Sequence, residues 1–240
     1  VGKTTTTIGW LLHYILFNQD KIVGILANKA ITAREILSRV QTAYQHLPKF
    51  LQQGLREWNK GSMELENGSK VIASSTSSSA IRGFSFSCIF LDEFAHVQRH
   101  IASEFIRSVY PTISSGKETK VIIVSTPNGF NLFYKFWNDA VNGKNTFFPF
   151  KVHWSNVPGR DQEWHKRTVS TIGEDAFRQE YEAEFLGSTN TLISTERLQE
   201  MSYNDPIFSR DNLDVHEEPI DSHTYTITVD VARGQGQDYS

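Results

Sequence analysis

The apolar positions along the chain follow two alternating periods up to about residue 155, after which the texture changes. From Lys3 a threonine run passes into a stretch whose apolar residues continue through Ile15, which predicts a helix. "KIVGILAN" (21–28) is a short β-rich run, the pattern of a buried parallel strand. In "TAREILSRVQTAYQHL" the residues Ile36, Leu37, Val40, Tyr44 and Leu47 fall at helical spacing, and Pro48 breaks the pattern. "KFLQQGLREW" (49–58) predicts a second helical segment. "SMELENGSKVIA" alternates around Asn67-Gly68 and predicts a hairpin with a type I′ turn. "SCIFLDE" and "TKVIIVSTPNG" predict two more buried strands, each running into polar residues. Strands alternating with helices predict a parallel α/β sheet, whose ligand sites lie beyond the carboxyl ends of the strands.

Beyond residue 155, "RDQEWHKRTVSTIGEDAFRQEYEAEF" predicts two acidic amphipathic helices. The polar, weakly patterned stretch that follows reads as a connector with a short helix inside it, and "TYTITVDVA" predicts a new strand ahead of the turn "RGQGQD". There are no internal repeats. "SSTSSSA" (74–80) is low-complexity but too short for a linker, and lies between two predicted strands.

Composition adds bounds. A hydrophobic content of 39% and a charged content of 21% fit a globular chain with a core. The longest apolar stretch, Ile8 to Phe17, is interrupted by His13 and too short to span a bilayer, so no membrane partner is expected. The single cysteine, Cys88, excludes an intramolecular disulfide framework, and its apolar neighbours point to a packed strand residue rather than a catalytic thiol. The net charge of −3 conceals an asymmetry: residues 1–150 carry 16 Lys/Arg against 10 Asp/Glu, and residues 151–240 carry 8 against 17. The basic excess is that of an ordinary solvated surface and does not by itself indicate nucleic acid.

The chemistry sits at the predicted strand ends. "GKT" at the start of a helix has the residue types that close a phosphate-binding loop, where backbone N–H groups meet phosphate, a lysine reaches the outer phosphates and a hydroxyl ligates Mg²⁺. The same tripeptide also occurs in ordinary surface turns. "CIFLDE" ends a buried strand in two acids. Beside a phosphate loop, Asp92 would hold Mg²⁺ and Glu93 would orient and deprotonate a water; standing alone, it is a solvated acidic turn. Ser125 and Thr126 end the next strand, where a hydroxyl or amide can sense a γ-phosphate, or simply form an exposed turn. Arg82, followed by Gly83, is either an arginine finger on a loop or a surface cation.

Taken in order, "GKTT", "ILANK", "AREIL", "NGSKVI", "IRGFSFSCIFLDEFAHV", "VIIVSTPNG", "FRQEYEAEF" and "TVDVARGQGQDYS" resemble the large terminase subunit of tailed bacteriophages, above all its T4-like branch, over nearly the whole chain. The most specific elements are "RGFSFSCIFLDE", "STPNG" and "VDVARGQGQD". The resemblance implies an α/β P-loop NTPase of the additional-strand type: an ATPase core over 1–155, a small helical subdomain over 156–187, a connector over 188–221, and from 222 the first strand of an RNase H-like nuclease domain. It implies an ATP-driven motor that moves double-stranded DNA into a procapsid, with Gly2, Lys3, Thr4 and Thr5 at the nucleotide. Thr4 and Asp92 would serve Mg²⁺, Asp92 and Glu93 would be catalytic, and Ser125, Thr126 and Asn128, also at the nucleotide, would couple hydrolysis to movement. Arg82 occupies the position where an arginine finger is expected. Asp230 matches the first metal-binding carboxylate of the nuclease, a site that holds two divalent ions about 4 Å apart, and Asp238 stands near it. The resemblance further implies a portal protein, a small terminase subunit and a homo-oligomeric ring as partners. The expected location is the host cytoplasm, not the mature virion. It also implies that the chain is a piece of a longer product, with the rest of the phosphate loop upstream and further nuclease acids downstream, so that this piece alone would not cut DNA. The rival readings are a helicase-like or repair P-loop ATPase and a non-hydrolysing nucleotide-binding module.

Overall fold

The computed structural model of the chain describes residues 2–76, 84–115, 119–186, 206–210, 213–215, 217–218 and 220–224. Two compact units result, Val1–Thr195 and Glu196–Ser240. The first is a six-stranded sheet in the order β2-β3-β4-β1-β5-β6, with β1 Ile22–Ala27, β2 Leu55–Trp58, β3 Ser62–Leu65, β4 Lys70–Ser75, β5 Cys88–Asp92 and β6 Lys120–Val124. The strands β4, β1, β5 and β6 run parallel, while β2 and β3 extend one side as an antiparallel ribbon.

The apolar runs become central strands because they have two faces to bury. Along β5, Cys88 and Phe90 join one core with α1 (Lys3–Phe17) and α2 (Ala30–Gln45), through Ile8, Leu11, Ile15, Leu37 and Val40. Ile89 and Leu91 point the other way, into a second core with Phe86, Phe94, Ala102 and Phe105, where α3 (Arg99–Ser115) and α4 (Leu132–Val141) contribute. This alternation explains why an unbroken apolar run marks a strand covered on both sides. Burying a side chain such as Phe90 stabilises the fold by about 1.5–3 kcal/mol.

Two local expectations are corrected. Residues 49–58 are not a helix: one 3₁₀ turn, Lys49–Leu51, gives way to β2. The short hairpin to β3 and the packing of Trp58 on Tyr44 (ring centroids 5.9 Å apart) outweigh the helical pattern. The hairpin between β3 and β4 forms where expected, but its turn is not type I′. Gly68 alone has positive φ, at 82°, while the Gly68 N–H donates to Leu65 O and the Leu65 N–H to Ser69 O. That is a three-residue loop with a G1 bulge. Asn67 is instead used as an anchor, donating to Ile15 O and Asn18 O at the end of α1.

The two expected helices are α5 (Gln162–Ile172) and α6 (Glu174–Tyr181), closed around Trp154, Trp164, Phe177 and Tyr181. In the second unit the described residues include a two-stranded antiparallel ladder, β7 Phe208–Arg210 with β8 Leu213–Val215. The strand expected at 224–232 falls almost wholly outside the described residues. Among the described residues no helix is long and apolar enough to cross a membrane.

Candidate active site

Register places the site. Ala27 of β1 pairs with Asp92 of β5, and Asp92 pairs with Val124 of β6, so the parallel strands end level with one another. The first turn of α1 meets this row of tips. Thr4 Oγ1 donates to Asp92 Oδ1 at 3.1 Å, and Lys3 Nζ lies 3.8 Å from Glu93 Oε1. Gly2 precedes the helix at φ 75°, a left-handed conformation that glycine adopts without penalty. No side chain caps α1 and no acid stands in its first turn, so the first N–H groups are presented outward with the positive end of the helix dipole. Thr5 is exposed on that same turn.

The two acids differ in setting. Asp92 is 5% exposed. Burial pushes its carboxyl above the usual range; the Thr4 hydroxyl opposes this, the charge of Glu93 adds to it, and Lys3 and Arg39 oppose it. Glu93 is half-buried and sits at φ 49°, ψ 45°, a left-handed conformation that a non-glycine residue keeps only when its surroundings hold it there. Its Oε2 faces the end of β6, with Ser125 Oγ at 3.4 Å and the Thr126 N–H donating at 3.4 Å.

Just after Glu93, the 3₁₀ turn Phe94–His96 is fastened to the loop that follows β6. The Ala95 N–H donates to Ser125 Oγ at 3.1 Å, while Ala95 O accepts from Asn131 Nδ2 at 2.7 Å and Asn128 Nδ2 at 3.3 Å. The Asn131 Oδ1 in turn accepts from the N–H groups of Phe133 and Tyr134, capping α4. His96 Nε2 lies 3.1 Å from Thr126 Oγ1 and 3.7 Å from Glu93 Oε2. Lys3, Thr4, Asp92, Glu93, Ser125 and Thr126 therefore come together, and Asn128 reaches them through Ala95. Arg82, Asp230 and Asp238 lie outside the described residues. Sequence reasoning missed His96 and Asn131. The spacing of His96 three residues after Glu93, across the apolar pair Phe94-Ala95, was a usable signal for the first.

The donor set fits Mg²⁺: a hydroxyl and a carboxylate are hard oxygen ligands, already adjacent through the Thr4–Asp92 bond. Among the described residues no three His, Cys, Asp or Glu side chains gather as a metal cluster.

A family model described as the N-terminal part of the T4likevirus-type terminase large subunit matches residues 1–200. The terminase large subunit of Thermus virus P23-45 is 31% identical over 175 residues, which are 67% of this chain and 34% of that protein. The chain spans about a third of the length of the curated relatives it matches. Among solved structures, the large terminase ATPase domain of Thermus phage P74-26 matches with a TM-score of 0.63 at 22% identity, covering 77% of this chain and 84% of that one. The large terminase of a thermophilic bacteriophage, solved in complex with ATP-γ-S, matches with a TM-score of 0.58 at 10% identity, covering 77% and 45%. The structural likeness shows the fold, an α/β sheet of the P-loop NTPase type. The chain belongs to the T4likevirus-type terminase large subunit family.

Proposed function

We propose that the chain is the ATP-hydrolysing part of a viral DNA-packaging motor acting on double-stranded DNA. The observation that carries this reading is the meeting of Lys3 and Thr4 with Asp92 and Glu93, sequence-distant pairs joined by a hydrogen bond at 3.1 Å and an ion pair at 3.8 Å. The open N-terminus of α1 receives phosphate oxygens, and Lys3 leaves Glu93 to neutralise the outer phosphates of ATP. Thr4 and Asp92 hold Mg²⁺, which when bound offsets the charge that develops on the transferring phosphoryl group. Glu93 orients a water and takes its proton as the water oxygen bonds to the γ-phosphorus and the bond to the ADP oxygen breaks. Ser125 and Thr126, in contact with the same carboxylate, pass the loss of phosphate to the loop that caps α4.

The wider reading keeps the sequence-based boundaries: ATPase core 1–155, helical subdomain 156–187, connector 188–221 and the start of an RNase H-like nuclease domain from 222. Arg82 supplies an arginine finger. The portal protein, the small terminase subunit and sister copies in a ring are the partners, in the host cytoplasm. The test is phosphate release by the full-length large subunit, with and without double-stranded DNA. DNA should stimulate turnover and Lys3→Ala should abolish it; near-normal turnover in Lys3→Ala refutes the assignment. For the nuclease, Asp230→Ala should lose plasmid nicking while ATP turnover continues, and retained nicking refutes the role of Asp230.

A further inference from the structure

We propose that His96 is a positioning residue for Glu93, holding that carboxylate and the Thr126 hydroxyl in one arrangement. The inference rests on the reading of Glu93 as the base. The left-handed backbone at Glu93 leads directly into a single 3₁₀ turn, in which side chains three residues apart lie one over the other. Phe94 and Ala95 fill the turn's inner side, each 2% exposed, and Phe94 stacks on Phe136 at 6.3 Å. This leaves His96 on the side of Glu93, with Nε2 at 3.7 Å from Glu93 Oε2 and 3.1 Å from Thr126 Oγ1.

The two oxygens of Glu93 serve different neighbours. Oε1 faces Lys3, whereas Oε2 faces Ser125 Oγ, the Thr126 N–H and His96. Once Lys3 turns to a phosphate, the Oε2 contacts remain to fix the carboxylate. Both hydrogen bonds there measure 3.4 Å, at the long end of the useful range, so neither holds a flexible glutamate alone. The imidazole acts through Thr126: its 3.1 Å bond to Thr126 Oγ1 fixes the residue whose N–H meets Oε2, while the ring itself packs 3.7 Å from that oxygen. The residue before it, Ala95, is anchored through its N–H to Ser125 and through its C=O to Asn128 and Asn131, which fixes the turn that carries the ring.

The experiment compares wild type, His96→Ala, His96→Gln, Glu93→Gln and the double variant Glu93→Gln/His96→Ala in the full-length large subunit. Single-turnover ATP hydrolysis, steady-state kinetics and equilibrium titration with ATP-γ-S are measured on each. His96→Ala should lower kcat by roughly 10- to 100-fold, the scale of a misplaced catalytic group, while KM and ATP-γ-S affinity stay within about twofold of wild type. His96→Gln, which keeps a donor at similar reach, should recover most of the rate. In the Glu93→Gln background the removal of His96 should cost nothing further, since groups acting through one another are not additive. A wild-type kcat in His96→Ala overturns the proposal. An equal loss in both backgrounds also overturns it, as does a loss of affinity that His96→Gln fails to relieve. Wild-type hydrolysis by Glu93→Gln defeats the reading of Glu93 as base instead, which is a separate outcome.

Discussion

The antiparallel ribbon β2-β3-β4 and the tips of the parallel strands both gather charge, but they treat it in opposite ways. On the ribbon, Glu57 and Glu64 stand opposite each other across the ladder, and Lys70 answers both, at 2.6 and 3.4 Å. Arg56 adds a contact to Glu64 at 3.8 Å, and Ser62 donates to Glu57 at 2.6 Å. Glu57 and Lys70 are pushed toward their charged forms: the Glu57 carboxyl lies below its usual range, chiefly through its bond to Lys70, and the Lys70 ammonium lies above its own for the same reason. At the strand tips two acids are adjacent in sequence, one of them buried, and burial pushes Asp92 toward its neutral form. A charge network that serves only the fold satisfies itself. One that awaits a cationic or anionic ligand is left dissatisfied, and the native state carries that cost.

The largest effect that tests this contrast is kinetic. Glu93→Gln keeps shape and removes the base, so it should lower the rate of hydrolysis by roughly 10²–10⁴ while ATP-γ-S still binds. Lys70→Met, on the ribbon, should leave hydrolysis unchanged. A comparable loss of turnover in Lys70→Met would mean that the two regions are not functionally distinct.

How far such a division was legible in the sequence depended on whether its cause was local. The runs that became β1, β5 and β6 declared themselves because a strand covered on both faces must be apolar throughout. Gly2 to Thr4, Asp92-Glu93 and Ser125-Thr126 could be named because their chemistry falls where apolar periodicity ends. The ribbon was harder. Leu55–Trp58 looked helical because neither its ladder to β3 nor its packing on the Tyr44 ring shows in its own apolar pattern, and Asn67-Gly68 suggested a turn type that the anchoring of Asn67 to α1 replaces. Asn131 was hidden for a different reason, since its role arises from a turn and a loop brought together by the pairing of β5 with β6; the same pairing brings His96 to Thr126, and only its spacing from Glu93 was visible in the sequence.

A smaller effect concerns stability. Lys70→Met removes the cation between Glu57 and Glu64 and leaves two like charges directly opposed. The pairs are part-exposed, so the expected loss is about 1 kcal/mol, read as a lower midpoint in urea with an unchanged slope. A neutral or stabilising result would show that the ribbon's charges contribute nothing to the fold and would remove one side of the comparison.

The smallest effect is the most specific, because the two regions should respond to pH with opposite sign. The folded-state carboxyl of Glu57 is lowered, so its contribution to stability is present above the ordinary glutamate range, about pH 4.3, and is lost as pH falls through the folded value. Glu57→Gln should therefore destabilise at pH 7, by no more than about 1 kcal/mol for so exposed a group, and this difference from wild type should shrink toward pH 3. Asp92 is raised in the folded state, so the native protein holds its proton more tightly than the unfolded chain does. Its contribution is favourable below the ordinary aspartate range, about pH 3.9, and is lost as pH rises through the folded value. Asp92→Asn keeps an oxygen to accept from Thr4 and removes the buried charge. It should raise the urea midpoint at pH 7, with the gain fading as the solution is acidified, while the Mg²⁺ dependence of nucleotide binding weakens. Urea titrations of the two variants and wild type at pH 7, 5, 4 and 3 decide it. If Asp92→Asn is destabilising at pH 7 and Glu57→Gln is not, the buried carboxylate is supporting the fold, and the division between a satisfied ribbon and a dissatisfied site fails.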